Sequence, residues 1–354
     1  MSENLLEVND LRVYYTLDRP TWFAPAQTVY AVDGVSFSVR RGTAFGLVGE
    51  SGCGKSTTAL ATLRLIEPTS GSIRLDKTEL TTLGSHALRS MRQRMQIIFQ
   101  DPYSSLNPRS RVADIIEEPM ILLTGMREPE RRQRVDELIR RVGLRPEQKR
   151  LFPHQFSGGQ RQRIGIARAL AARPELVVCD EPVSALDVAI QAQILNLLAE
   201  LRHDLGLTYL FISHDLAVVQ HLCEALAVMY LGKIVEQGDR RAVFSQPLHP
   251  YTHALLSAEP AKDPALRQSS RRVALQGDPP SPINPPSGCR FHTRCPYAEA
   301  RCRQELPSLR EVAPGHAVAC HLVRVEGGKI ISPVSMPATV MQFHRDAVPT
   351  SRGG

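Results

Sequence analysis

This chain has little that would take it into or through a membrane. No apolar run reaches the roughly 18 residues that a spanning helix needs. The start, "MSENLLEVNDLRVYY", carries acidic residues and no basic head followed by an apolar stretch, so a secretory signal is not expected. The expected compartment is therefore the cytosol, where stable disulfides are disfavoured; metal binding or packing is left for the seven cysteines. The short C-x2-C pairs of common zinc fingers are also missing. No internal repeat is visible. The net charge of +7 is not gathered into a block but dispersed through "RRGT", "RQRM", "RRQR" and "RQR". Such a balance suits nucleic acid, nucleotide, an anionic membrane surface or simply solvated helix faces, and it selects none of them.

What is present suffices for a folded protein. The 354 residues allow about two domains. Residues 5–15 alternate as a strand, residues 16–29 read as a long loop, and "AVDGVSFSVRRG" alternates again up to Gly42. "TAFGLVG", "LVVCDE" and "LTYLFISHD" are short apolar runs that fit buried strands, with "GSIRL" and "MQIIFQ" as further strands. "KSTTALATLRLI", the segment 110–150 and "QRIGIARALAARP" have helical spacing, the second closing on Gly143. "AVMYLGKIVEQG" reads as strand, turn and strand. Strands alternating with helices predict an α/β fold with a mostly parallel sheet. From about residue 245 prolines become frequent and the periodicity fades; residues 323–354 are expected to be poorly ordered.

"GESGCGKST", Gly49 to Thr57, follows an apolar strand and matches G-x-x-x-x-G-K-[ST] through Gly49, Gly54, Lys55 and Ser56. Glycine lets backbone N–H groups converge on phosphate oxygens, and the helix that follows turns its positive end toward them. Lys55 is expected to reach the β- and γ-phosphates and Ser56 to ligate Mg²⁺. The rest of the loop, Glu50, Ser51, Gly52, Cys53 and Thr57, lines the same cradle, Cys53 simply as a small residue. "LVVCDEP" puts Asp180 at the C-terminal end of a buried strand, as an Mg²⁺ ligand. Glu181, one residue on, is placed to act as general base on the attacking water.

Between these motifs stands "FSGGQRQRIGIARAL", residues 156–170. Ser157, Gly158, Gly159 and Gln160 open a helix and make a second anion-binding end. The stretch resembles the LSGGQ signature of ATP-binding cassette (ABC) ATPases, with Phe156 in place of Leu. The resemblance implies a cassette fold: a P-loop core, an antiparallel β subdomain and a helical subdomain at about 90–165. It implies a head-to-tail dimer in which each ATP lies between the P-loop of one subunit and the signature of the other. It also implies roles for Gln100 (the Q-loop residue, near Mg²⁺ and the water), Asp187 in "SALD" (the D-loop), His214 in "FISHD" (the switch histidine) and Tyr15, with Tyr14 beside it, stacking on adenine.

"QDPYSSLNPR", "HPYTHALL" and the proline- and cysteine-bearing end narrow the resemblance to the ATP-binding subunits of dipeptide and oligopeptide importers. For that group the implied partners are a second, different ATPase subunit, two membrane permeases and an external solute-binding protein, with no nucleic acid. The implied location is the cytoplasmic face of the inner membrane. Related importers move nickel complexes, glutathione or sugars, so peptide is an expectation. A DNA-repair type would need a coiled-coil insertion and a translation type two cassettes; this chain has neither. The expected division is a nucleotide-binding domain at 1–240, an extension at 241–325 and a flexible tail at 326–354.

That extension holds Cys289, Cys295, Cys302 and Cys320. Four thiolates can hold Zn²⁺ or an iron–sulfur cluster, and the flanking Arg290, Arg294, Arg301 and Arg303 could offset their charge. His292, His316 and His321 are substitute ligands. The resemblance implies a four-cysteine [4Fe–4S] site with a structural role.

Overall fold

Short runs of β-branched and aliphatic residues build the centre of the fold. The computed structural model describes residues 3–17, 26–258 and 277–334. In chain order the strands are β1 (Asn4–Leu17), β2 (Gln27–Arg40), β3 (Ala44–Val48), β4 (Ser70–Leu75), β5 (Thr78–Glu79), β6 (Met95–Ile98), β7 (Leu176–Asp180), β8 (Thr208–Ser213), β9 (Ala225–Tyr230), β10 (Lys233–Asp239), β11 (Arg310–Ala313), β12 (His316–Val318), β13 (Arg324–Glu326) and β14 (Lys329–Ile331). The α-helices are α1 (Lys55–Thr62), α2 (Ser85–Arg94), α3 (Val112–Leu123), α4 (Glu128–Arg141), α5 (Gly158–Ala171), α6 (Val188–Leu205), α7 (Leu216–Leu222), α8 (Arg240–Ser245), α9 (Pro250–Ala258) and α10 (Ala300–Gln304).

The main sheet runs β11-β12-β10-β9-β3-β8-β7-β6, and a smaller antiparallel sheet runs β2-β1-β4-β5. From β6 to β9 the main sheet is parallel. Successive side chains on these strands point to opposite faces. Val48, Val177, Cys179 and Phe211 pack with α3 to α7 on one face, while Phe45, Leu47, Val178 and Leu210 pack with β1, β2 and α1 on the other. Both faces are buried, which is why these strands read as unbroken apolar runs.

Three expectations change. The loop at 16–29 is shorter than its polar residues suggest, because the β1–β2 ladder continues to Leu17 opposite Gln27; residues 18–25 lie outside the described residues. Residues 95–98 belong to the central sheet, and the helical layer spans α3 to α5, so it ends at Ala171 rather than near 165. The extension joins the main sheet, where β12 pairs with β10. A hairpin, β13–β14, occupies the start of the segment expected as a tail, and residues 335–354 lie outside the described residues.

Candidate nucleotide site

The site forms at the C-terminal ends of β3, β7 and β8, where the central strands stop and the chain turns back over the sheet. After β3 the P-loop wraps into α1. Gly49 and Gly54 hold φ of 155° and 106°, and a Cβ on either would drive into the backbone carbonyl of Met229 or Ala31. Only glycine satisfies both demands. Lys55 is buried and its Nζ donates to the carbonyls of Gly49 (2.9 Å) and Glu50 (3.0 Å). It is thus folded back inside the loop that would hold the phosphates.

Asp180 ends β7 and Glu181 follows it. Ser56 Oγ donates to Asp180 Oδ1 at 2.9 Å. Burial, reinforced by the neighbouring Glu181 carboxylate, raises the Asp180 carboxyl above its ordinary value, against the opposing pull of Ser56 and Lys55. A hydroxyl and a carboxylate in contact suit a hard divalent cation such as Mg²⁺, whose charge would reverse that upward push. Glu181 takes a left-handed backbone with φ 45°, an uncommon conformation for a residue with a side chain. Its Oε2 accepts from Gln100 Nε2 at 3.0 Å and lies 3.1 Å from His214 Nδ1, while Lys55 Nζ is 3.9 Å from Oε1. Three residues from three distant stretches therefore meet at one carboxylate.

On β1, Tyr15 is 38% exposed and free to present its ring, whereas Tyr14 packs edge-on against Tyr30 and donates its hydroxyl to Asp33 at 2.5 Å. Burial and that bond push the Tyr14 phenol up to about 12. At the signature, Ser157 Oγ accepts from Gln160 N–H and Gln160 Oε1 accepts from Ser157 N–H (3.0 Å), a reciprocal cap on α5. Phe156 is buried in the helical core, so the Leu-to-Phe change is absorbed by packing. Gly158 and Gly159 lie against Leu186 and Ile190, which ties the signature to the exposed turn carrying Asp187.

The four cysteines carry no disulfide. Burial pushes the Cys289 thiol up to about 11 and the Cys295 thiol up to about 12, and each is raised further by Cys302 and Cys320. Burial thus favours the neutral thiol over the thiolate at Cys289 and Cys295. Among the described residues, no three His, Cys, Asp or Glu side chains are grouped to hold a metal ion. His292, His316 and His321 are engaged otherwise: with the Cys289 carbonyl, with Glu236 and with the Glu305 carbonyl.

Two contacts escape sequence reasoning. Tyr251 Oη accepts the Glu50 N–H at 2.8 Å, and Arg294 grips the Glu50 carboxylate. Both come from the extension, and nothing in their local sequence points to the P-loop.

A P-loop, a strand-end acid pair and a serine-capped signature helix on one parallel sheet define an ABC-type ATPase. A family model described as ABC transporter matches residues 32–184, and one described as oligopeptide/dipeptide transporter, C-terminal region, matches 235–302. The chain is 49% identical over 321 residues to the oligopeptide transport ATP-binding protein AppF of Bacillus subtilis, covering 90% of this chain and 98% of AppF. It is 47% identical over 319 residues to the di/tripeptide transport ATP-binding protein DppF of Pseudomonas aeruginosa, covering 90% and 98%. Among solved structures, the dimeric ATP-binding cassette MJ0796 bound to ADP and Pi has 27% identity and a TM-score of 0.60, covering 66% of this chain and 98% of that one. The chain belongs to the ATP-binding subunits of ABC transporters, in the oligopeptide/dipeptide group. Among the described residues no helix is long and apolar enough to cross a membrane.

Proposed function

We propose that this subunit hydrolyses ATP to drive import of dipeptides or oligopeptides through a permease pair. The observation that carries the chemistry is the Glu181 carboxylate held by Gln100 and His214 beside Lys55. Phosphoryl transfer to water needs positioning and charge stabilisation more than covalent chemistry. Lys55 leaves the carbonyls of Gly49 and Glu50 for the β- and γ-phosphates. Ser56 and Asp180 would hold Mg²⁺, which neutralises phosphate charge. Gln100 and His214 orient Glu181, which accepts the proton of the attacking water, and Tyr15 stacks on the adenine.

The signature end of α5 serves a second nucleotide, on a partner ATPase subunit arranged head-to-tail; the importer-group resemblance favours a partner of different sequence. The complex sits at the cytoplasmic face of the membrane through its permeases. The four cysteines hold a structural [4Fe–4S] cluster in preference to zinc, a reading that rests on the importer-group resemblance and on four cysteines free of disulfides in one segment, and not on their grouping in the described residues, which bring no three of them together as a metal site.

The test of the ATPase role is Glu181→Gln. ATP binding should persist while turnover, measured with the permeases present, falls by roughly 10²- to 10⁴-fold, the usual worth of a general base. Turnover near the wild-type rate would remove Glu181 from that role, and the absence of any permease association would remove transport.

A further inference from the structure

Two arginines of the cysteine segment reach back into the cassette, Arg294 to the P-loop and Arg290 to β2 and the turn after β9. Arg294, next to Cys295, makes a two-pronged pair with the Glu50 carboxylate at 2.7 and 3.1 Å. Its side chain is 6% exposed and its guanidinium lies 5.9 Å from the centre of the Tyr230 ring. The same Glu50 gives its N–H to Tyr251 on α9 and its carbonyl to Lys55. The second residue of the P-loop is thus fixed at three points, two of them from the extension. Arg290, next to Cys289, donates to Asp33 and to the Leu231 carbonyl. Asp33 in turn receives the Tyr14 hydroxyl, beside Tyr15, and Gly232 gives its N–H to the Cys53 carbonyl at 2.8 Å.

We propose that Arg294 is a positioning residue for ATP, setting the affinity of the P-loop for nucleotide through the Glu50 carboxylate. A forked guanidinium–carboxylate pair fixes orientation as well as distance, which a single lysine contact does not. Arg294 orders the phosphate end through Glu50. The proposal rests on the ATP reading above.

The test uses the full-length protein and a fluorescent ATP analogue with Mg²⁺. Arg294→Ala should weaken analogue binding and raise the KM for ATP by roughly tenfold, in keeping with loss of a charge-assisted hydrogen-bonded pair, with kcat changed by less than about threefold. Glu50→Gln should do the same, and the double variant should be no worse than either single one. Arg294→Lys should recover part of the loss. A fall in thermal stability with unchanged affinity and KM would overturn the proposal, as would additive losses in the double variant. If Arg294→Ala fails to fold, unchanged binding by both Arg294→Lys and Glu50→Gln overturns it. Failure of the wild-type protein itself to bind the analogue would instead sink the ATP reading.

Discussion

His249 is enclosed against Phe291, and its Nδ1 accepts the Tyr251 N–H, so the ring is held as a neutral acceptor. Burial lowers its pKa to about 3. A histidine that stays neutral in the fold and charges when unfolded destabilises the protein in acid, because the unfolded chain binds the extra proton. Stability is complete above the unfolded value near 6.5 and is lost as pH falls toward about 3, by up to about 1.4 kcal/mol per pH unit. His249→Asn should flatten that part of the profile in denaturant titrations at pH 7, 6 and 5; an unchanged slope would assign the acid sensitivity elsewhere. At this scale the sequence shows chemistry well and connections poorly. The motifs that hold Lys55, Ser56, Asp180 and Glu181 are legible because the expected phosphate and cation chemistry calls for those residue types in that local order. Arg294 is visible only as a charge beside a thiol, since its partner lies 244 residues away.

The edge of the main sheet shows what a short element can secure. β12 has three residues, yet its His316 places Nε2 2.8 Å from the Glu236 carboxylate, which is wholly buried on β10. Glu236 also accepts the N–H groups of Leu248 and His249, so it joins β12, β10 and the approach to α9. His316→Ala should cost about 1–3 kcal/mol by leaving a buried acceptor short of a partner, read as a lower midpoint in thermal or urea melts. A loss below about 0.5 kcal/mol, the range of ordinary surface changes, would show that the two N–H groups suffice. The central strands and long helices follow from sequence, because burial on both faces or one stripe leaves a clear pattern. β11 and β12 do not: "REVA" and "HAV" are too short and mixed to show a period, and pairing with a distant strand decides them.

Across the whole molecule, the division into cassette and extension is a division of sequence rather than of structure. Proline frequency and fading periodicity mark residue 245, but the sheet, the P-loop contacts and the aromatic cluster of Tyr230, Tyr251 and Phe291 cross it. Cys289 and Cys295 pack against the main core, while Cys320 belongs to a small cluster with Leu248, Val318 and Val323. A cluster on the four thiols would pin these two packing regions together. Protein purified without oxygen should be brown and carry iron and acid-labile sulfide, and Cys295→Ser should lose both; colourless protein lacking iron would exclude the cluster.

The reach from Glu50 to Arg294 also sets an order of events. During synthesis the P-loop leaves the ribosome first, and its two outside supports, Tyr251 and Arg294, follow some 200 and 244 residues later. At about 5–20 residues per second, that is a gap of roughly ten seconds to most of a minute. For that interval the nascent chain carries a P-loop whose second residue is unsecured, and its outside contacts close only once Arg294 has emerged.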